Sequence, residues 1–212
     1  MNLKHFYTKE EGTNSMVLKK KMSTSSNKIL LIDRDGVMIK DTGHISSLDE
    51  VSLCEGLNEL LSQFGNMGYR TCVVTNQSSV ARKIITRYQY EAITERMLTL
   101  IRKDLWPDYI MASFYHNAYS LTHDESNWRK PDTGMFEYIR SKNTINFDKS
   151  LMIGDKLSDI KAGSSFGIKN LVYIKSHLHA SEEQKVREWG KLTNKRVIYT
   201  KSLTQVAYKI NY

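Results

Sequence analysis

The stretch "KILLIDRDGVMIKD", residues 28–41, passes from an apolar run to two aspartates within a few positions. The apolar run Ile29–Ile32 is typical of a strand that is buried on both faces. Residues two apart in an extended chain point to the same side, so Asp33 and Asp35 can face one ligand while Arg34 turns away. The stretch therefore predicts a buried strand that presents two carboxylates at its own end.

Outward from this strand, apolar runs of strand length alternate with amphipathic segments of helix length. This alternation predicts an α/β fold, a Rossmann-like three-layer α/β/α sandwich with a mainly parallel sheet. In such sheets, ligands bind beyond the carboxyl ends of the strands. Predicted strands cover residues 29–33, 69–76, 109–116, 150–155, 170–176 and 196–200, and predicted helices cover 56–68, 86–105 and 156–167, with another beginning at Pro131 to Thr133.

The 212 residues fit one compact domain, predicted at 28–212 and preceded by a flexible basic leader at 1–27 that lacks a sustained period. There is no apolar run of about 18 residues that could span a bilayer, and no secretory signal. We therefore expect a cytoplasmic protein with no membrane partner. Cys54 and Cys72 offer neither a disulfide framework nor the paired spacing of a zinc site.

The net charge of +8 lies at the two ends of the chain. Residues 1–28 carry six Lys against two Glu, and residues 175–212 carry eight Lys and Arg against three Glu. The middle, residues 29–174, holds 17 basic and 18 acidic side chains. A groove for nucleic acid would place its basic residues in the folded middle, so a nucleic-acid partner is not expected.

Polar residues recur at the predicted strand ends, where Asp33, Thr75 and Asp155 would meet. Each has an ordinary alternative: "DRDG" can be a solvated turn, Thr75 can support a turn, and Asp155 or Asp159 can cap a helix. A calcium loop is excluded because Val37 and Met38 occupy positions that need a polar ligand and a glycine. The order and spacing of the whole set, with Lys130 ahead of a helix, favour a phosphoryl-transfer site.

Four segments in order carry a family resemblance: "LIDRDGV" (31–37), "VVTNQS" (73–78), "RKP" (129–131) and "IGDKLSD" (153–159). The chain resembles the haloacid dehalogenase (HAD) superfamily of phosphohydrolases. Its segments "DTGHISSLDEV", "TNQSSVAR" and "RKPDTGMF" are similar to the small-capped branch of heptose 1,7-bisphosphate and histidinol-phosphate phosphatases. The resemblance covers residues 29 to about 175 and implies a HAD-like fold with a minimal cap.

The resemblance implies a role for each acidic residue. Asp33 would attack phosphorus and form an aspartyl-phosphate, and Asp35 would act as the general acid and then the general base. Asp33, the backbone carbonyl of Asp35, and Asp155 would hold Mg²⁺, which prefers oxygen ligands. Asp159 would lie in a supporting shell, and Lys156 would reinforce Asp155 or serve as a capping or solvated residue.

The substrate would be held by residues of the second and third segments. Thr75 and the backbone of Asn76 would hydrogen-bond the transferring phosphoryl oxygens, and Lys130 would neutralise their charge. Arg129 matches a position that grips the substrate in the branch. Two loops, residues 37–50 and 116–128, would be the only cover of the site.

Many members of this branch carry a zinc loop, and this chain departs from that pattern. The positions of its thiolates fall on "HNA" (116–118) and on Ser126, Asn127 and Trp128, so no zinc is expected. His116 and His123 remain in this loop, where hydrogen-bonded histidines are more common than ligands.

These features lead to one main hypothesis and three alternatives. The chain would be a Mg²⁺-dependent phosphatase acting on a small sugar phosphate, D-glycero-D-manno-heptose 1,7-bisphosphate, at its C7 phosphate, in surface-polysaccharide precursor synthesis. The alternatives are a histidinol-phosphate phosphatase, a polynucleotide 3′-phosphatase, and a catalytically silent phosphate-binding module. The oligomeric state stays open, with a monomer favoured.

Overall fold

The computed structural model describes residues 3–22, 25–175, 178 and 180–210. Within these residues, eight strands form one sheet in the order β1-β2-β5-β4-β3-β6-β7-β8. The strands are β1 (Tyr7–Glu11), β2 (Ser15–Lys20), β3 (Ile29–Ile32), β4 (Arg70–Asn76), β5 (Tyr109–Ser113), β6 (Leu151–Gly154), β7 (Asn170–Ile174) and β8 (Val197–Thr200). The helices are α1 (Leu57–Asn66), α2 (Ser78–Ala81), α3 (Arg87–Leu100), α4 (Gly134–Lys142), α5 (Leu157–Phe166), α6 (Ala180–Thr193) and α7 (Val206–Lys209).

The six strands from β5 to β8 in sheet order are parallel, and helices cover both faces of the sheet. The period of two in β3 explains why its run is apolar throughout: Leu30 and Ile32 face one core, and Ile29 and Leu31 face the other. Helices α1, α3 and α7 pack on the first core, and α4, α5 and α6 on the second. The predicted three-layer α/β sandwich is confirmed.

The N-terminal segment differs from its prediction. Residues 7–20 form an antiparallel hairpin, and β2 pairs antiparallel with β5 in the register Ser15↔Ser113. Met16, Val17 and Leu18 are buried, so a flexible leader over residues 1–27 is wrong for the hairpin. Short strands such as these bury their apolar side chains only against the edge of β5, a partner that local sequence does not reveal. Residues 1, 2, 23 and 24 lie outside the described residues.

Several element ends are earlier than predicted. Strand β5 ends at Ser113, so His116 lies in the following loop and not at a strand end. Helix α3 ends at Leu100 because Ile101 has an extended backbone, and a short 3₁₀ turn at Lys103–Leu105 follows. Residue 176 of the predicted fifth parallel strand lies outside the described residues. Among the described helices, none combines the length and apolar character needed to cross a membrane.

The packing of the hairpin on the sheet can be tested with two methionines. Met16 has no exposed surface and Met22 is 87% exposed. Met16→Ala should lower the free energy of unfolding by about 2–5 kcal/mol because it leaves a cavity in the core. Met22→Ala, the matched control, should leave it nearly unchanged. Urea unfolding followed by circular dichroism measures both, and equal stability of the two variants would contradict the hairpin packing.

Candidate active site

Two neighbouring strands and the helix that follows them bring the predicted acidic residues to one edge of the sheet. Asp33 follows β3, Asp155 follows the adjacent β6, and Asp159 lies in the first turn of α5. All three side chains are buried, and one carboxylate oxygen from each lies within 4.8 Å of the others. Over the described residues, no other group of three or more acidic, His or Cys side chains is placed to hold a metal ion.

Lys130 is the cation inside this acidic cluster and is only 2% exposed. Its Nζ lies 2.8 Å from Asp33 Oδ1 and 2.6 Å from Asp159 Oδ1, and it donates to the carbonyl oxygen of Val74 at 2.6 Å. Burial works against its charge, but Asp159 and Asp33 outweigh burial and raise the pKa of Lys130. The ammonium group is therefore held charged, with its three protons directed at three oxygens.

Asp155 and Asp159 differ in what their carboxylates contact. Asp159 pairs with Lys130, and its Oδ2 accepts from the backbone N–H of Lys156 at 3.0 Å, which caps α5. Neither carboxylate oxygen of Asp155 has a hydrogen-bond partner, although the residue has no exposed surface, and the Lys156 ammonium is 3.8 Å away. A buried carboxylate without donors is unfavourable unless a cation neutralises it.

The pKa values of Asp33 and Asp155 show that their negative charges are only partly neutralised by nearby cations. Burial raises the pKa of Asp155 to about 8, although Lys156 opposes the shift. Burial also raises the pKa of Asp33 to about 6, against the opposing effect of Lys130. Hard carboxylate oxygens that converge and lack donors are ligands that suit Mg²⁺. Asp155 and the Asp33 oxygen that does not contact Lys130 therefore fit a divalent cation, whereas both oxygens of Asp159 already have donors.

The sequence predicted that Arg34 turns away from the side that Asp33 and Asp35 face, but its side chain lies against Asp35. Its guanidinium makes a bidentate pair with Asp35, at 2.9 and 3.1 Å, and lies 5.0 Å from the ring centre of Tyr90. A buried guanidinium needs an anionic partner, and Asp35 is the adjacent one. Burial raises the pKa of Asp35, but Arg34 and Gln77 outweigh burial and lower it.

Gln77 connects Asp35, after β3, with Thr75, at the end of β4, and was not among the predicted site residues. Its Nε2 donates to Asp35 Oδ2 at 2.5 Å and to Thr75 Oγ1 at 2.8 Å, and its Oε1 accepts from Arg34 at 2.9 Å. The side chain is buried and fully hydrogen-bonded. Gln77 directly follows Thr75 and Asn76 in "VVTNQS", which could have marked it as a site residue. No spacing rule, however, predicts that its side chain binds Asp35.

Asn76 and Thr75, at the end of β4, occupy the predicted edge. The Asn76 side chain accepts from the backbone N–H of Lys130 at 3.0 Å and donates to the carbonyl of Lys130 at 2.9 Å. The amide of Asn76 thus fixes the backbone at Lys130. The Thr75 hydroxyl is buried and accepts from Gln77, which leaves its own proton available to a ligand.

Gly36 is required by the close approach of the Asp155 side chain to the backbone that follows β3. Its φ is +86°, and a Cβ at this position would lie 2.3 Å from Asp155 Oδ2. Any side chain would therefore meet both backbone strain and the carboxylate. The glycine lets the chain leave β3 sharply and keeps Asp155 beside Asp33.

A cavity of about 310 Å³ opens beside Asp35 and Lys130. The predicted 37–50 loop contributes to it through Asp41 and residues 43–45. Asp41 is a second residue missed by the sequence analysis, and its Oδ2 lies 3.5 Å from the Lys156 ammonium. Residues of the 116–128 loop do not line this cavity. The remaining lining residues are Arg34, Asn76, Gln77, Ser78, Ser79, Arg129, Lys156 and Ser158.

The two histidines of the 116–128 loop make hydrogen bonds. His116 Nδ1 accepts from the backbone N–H of Ala118 at 3.2 Å, and His123 Nδ1 lies 2.7 Å from the hydroxyl of Tyr115. Arg129 is half-buried, and its Nη1 donates to the carbonyl oxygen of Tyr115 at 3.3 Å. Burial and the nearby Arg82 lower the pKa of Arg129, so this guanidinium sits in a positive environment.

Comparisons with known proteins agree with this geometry. The HAD-hydrolase-like family model matches residues 127–194. A D-glycero-beta-D-manno-heptose-1,7-bisphosphate 7-phosphatase of Haemophilus influenzae is 32% identical over 152 residues, covering 71% of this chain and 83% of the relative. Its counterpart in Haemophilus ducreyi is 30% identical over 152 residues, covering 70% and 84%.

Solved structures show the same fold. A candidate HAD-like phosphatase of Mesorhizobium loti superposes with a TM-score of 0.70 at 26% identity, covering 77% of this chain and 80% of that one. The D,D-heptose 1,7-bisphosphate phosphatase of B. bronchiseptica, solved with magnesium and phosphate, gives 0.69 at 22% identity, covering 85% and 96%.

The fold and the buried acidic edge define a phosphatase of the HAD-like class, which generally uses Mg²⁺. The resemblance found in the sequence is thereby confirmed. The identities and the shares of the relatives that are covered place the chain more closely. It belongs to the family of the D-glycero-D-manno-heptose-1,7-bisphosphate 7-phosphatases.

The raised pKa values of Asp33 and Asp155 predict a pH-dependent response to Mg²⁺. In the metal-free protein, the folded state binds protons that the unfolded state has released, so stability should fall as pH rises through about 6 and about 8. A protonated carboxyl must lose its proton before it binds the ion, so the Mg²⁺ affinity should rise over the same interval. Mg²⁺ titrations of the melting temperature at several pH values measure both effects.

The control for this experiment is Asp155→Asn, which keeps the side-chain size and removes the charge. In this variant the stabilisation by Mg²⁺ should be lost at every pH. Titration with KCl at matched ionic strength separates screening from binding. A Mg²⁺-induced shift that is equal at pH 6 and pH 8 would contradict the assignment of Asp33 and Asp155 to a cation site.

Proposed function

We propose that this chain removes the C7 phosphate of D-glycero-D-manno-heptose 1,7-bisphosphate, in the synthesis of surface-polysaccharide precursors. The observation that carries the proposal is the buried pair of Asp33 and Lys130 beside Asp155, whose carboxylate oxygens have no donor. The substrate class comes from the relatives, which are named for this reaction and are about 30% identical to this chain.

Asp33 would be the nucleophile of the first step. One of its carboxylate oxygens forms a bond to phosphorus while the bond from phosphorus to the C7 oxygen breaks, which gives an aspartyl-phosphate. In the second step, water attacks phosphorus and the bond to Asp33 breaks, which releases inorganic phosphate. The contact of Lys130 with Asp33 Oδ1 supports this role, because the ammonium orients the carboxylate and offsets the negative charge of the phosphoryl group.

Asp33, Asp155 and the backbone carbonyl of Asp35 would hold Mg²⁺. When bound, the ion neutralises the phosphoryl oxygens and keeps the carboxylates ionised at neutral pH. Asp159 would not bind the ion; it holds Lys130 in place and caps the N-terminus of α5. Lys156, between Asp41 and Asp155, balances the remaining charge at the edge of the cavity.

Asp35 would donate a proton to the leaving C7 oxygen and accept one from the attacking water. Its low pKa before substrate binds follows from Arg34 and Gln77, and the arrival of a phosphoryl dianion opposes these two groups. Proton donation is thus favoured when the substrate is in place. Gln77 keeps Asp35 aimed toward Thr75, where the phosphoryl group would lie.

The transferring phosphoryl group would be held by the Thr75 hydroxyl, the backbone of Asn76 and the ammonium of Lys130. Arg129, which lines the cavity, would contact the rest of the substrate. A cavity of about 310 Å³ is suited to a small phosphorylated molecule. No contact in the described residues favours one of the alternative activities over the heptose substrate, so those activities are outcomes of the test below.

The proposed nucleophile predicts a large loss of activity in Asp33→Asn. An amide cannot form the acyl-phosphate at a useful rate, so kcat should fall by about 10³-fold or more. The matched control is Asp148→Asn, an exposed aspartate just before β6, at the opposite edge of the sheet. Phosphate release from the bisphosphate with saturating Mg²⁺ measures both variants. Retained activity in Asp33→Asn would rule out this nucleophile.

A substrate panel tests the specificity of the site. We expect the highest kcat/KM for the heptose 1,7-bisphosphate, with one equivalent of phosphate released and the C1 phosphate retained. Histidinol phosphate and a 3′-phosphorylated oligonucleotide are the comparison substrates, each assayed with and without Mg²⁺. Preference for histidinol phosphate would overturn the sugar assignment, and salt-dependent hydrolysis of the oligonucleotide would indicate an end-processing enzyme. Phosphate binding without hydrolysis would indicate a silent module.

A further inference from the structure

The tip of the N-terminal hairpin, residues 12–14, contacts the 116–128 loop, which leads directly to Arg129 and Lys130. We propose that this hairpin tip is a positioning element: it fastens the loop and thereby sets Arg129 for substrate binding. The inference rests on the proposed function only in its use of Arg129 as a substrate contact. The contacts themselves are independent of which substrate is bound.

Asn14 makes most of the connection and is only 8% exposed. Its backbone N–H donates to Glu125 Oε2 at 2.7 Å, and its side-chain Nδ2 donates to the carbonyl of Asp124 at 2.9 Å. The same amide lies 3.3 Å from Thr122 Oγ1, and the carbonyl of Asn14 accepts from the N–H of Phe114 at 2.8 Å. One residue therefore ties the loop to the end of β5.

The hairpin tip is itself held between the loop and helix α3. A Cβ on Gly12 would lie 2.1 Å from Glu125 Oε1, so the glycine permits the close approach of the two segments. Arg87 donates from Nη1 to the carbonyl of Gly12 at 2.9 Å, also binds the carbonyl of Thr13, and lies 4.9 Å from the ring centre of Phe114. The tip is thus a fixed surface against which the loop can be placed.

The contact of Glu125 with the hairpin tip also fixes the backbone that follows it. The φ of Glu125 is +52°, a left-handed conformation that is strained for a residue with a side chain and persists where its surroundings hold it. Residues Ser126–Trp128 follow as a 3₁₀ turn, in which the N–H of Trp128 donates to the carbonyl of Glu125 at 2.9 Å. The N–H of Arg129 donates to Ser126 at 3.2 Å. Fixing Glu125 therefore fixes the turn that ends at Arg129.

The effect should fall on Arg129 rather than on its neighbour. Lys130 is anchored independently by Asn76, Asp33 and Asp159. The Arg129 side chain donates to the carbonyl of Tyr115 at 3.3 Å and otherwise depends on the turn before it for its direction. Loosening the tip should therefore weaken substrate binding and leave phosphoryl transfer unchanged.

The first test is steady-state kinetics of the full-length Asn14→Ala variant. With the heptose bisphosphate, or with the best sugar phosphate of the panel, we expect KM to rise about tenfold from the loss of two or three hydrogen bonds, with kcat within twofold of wild type. With p-nitrophenyl phosphate, which lacks the sugar and the second phosphate that Arg129 would contact, kcat/KM should stay within twofold. Thr8→Ala, on the exposed stem of the same hairpin, is the control and should change neither.

The second test needs no substrate and so separates this inference from the proposed function. Amide hydrogen exchange in Asn14→Ala should become faster in residues 12–15 and 116–129 and stay unchanged elsewhere. Glu125→Ala removes a different contact, the acceptor of the Asn14 backbone N–H, and should speed exchange in the same two segments, since either change weakens the attachment of the loop to the hairpin tip. An unchanged KM, an equal loss with both substrates, or exchange that rises across the whole protein would overturn the inference.

Discussion

The structure depends on an imbalance of buried charge at one edge of the sheet. Asp33, Asp155 and Asp159 are brought together with Lys130 as the one buried cation among them in the described residues. Lys130 is shared by two of the carboxylates, and Asp155 is left without a donor. Such an arrangement is unfavourable by itself, because buried charges need partners. A bound cation would neutralise the unpaired carboxylate, and a bound phosphoryl group would place the substrate beside the nucleophile. The cluster would then be both stable and reactive.

The sheet brings the acidic side chains together at the carboxyl ends of its central strands. The adjacent strands β4, β3 and β6 end close together, and Gly36 and Gly154 remove the side chains that would collide with Asp155 and Asp159. Around them, hydrogen bonds hold each reacting group in one orientation. Asn76 brackets the backbone of Lys130, which keeps the ammonium at the cluster. A preorganised site of this kind needs little rearrangement when charge moves during the reaction.

In the proposed enzyme, the strand ends and the loops have different roles. Phosphoryl transfer belongs to the strand ends, where Asp33 and Lys130 are buried and paired and Asp155 is buried without a donor. Substrate recognition belongs to loops, and a loop without regular structure must be fixed by something outside itself. Here the N-terminal hairpin supplies that support, because Asn14 satisfies backbone and side-chain groups of the 116–128 loop. An added edge hairpin can thus affect specificity while it leaves the chemistry alone.

The sequence by itself determined the alternation of strands and helices, and the order of the residues that meet at the strand ends. These are local signals: the apolar run Ile29–Ile32 encodes burial on both faces, and the positions of Asp33 and Asp155 follow from where the strands stop. The tertiary structure alone decided the partners. Arg34 turns back to Asp35, the carboxylate that pairs with its buried guanidinium, and the hairpin folds because β5 offers it an open edge. The periodicity of apolar residues indicates which side chains are buried. The contact partner of a side chain depends on which distant segment of the chain packs beside it.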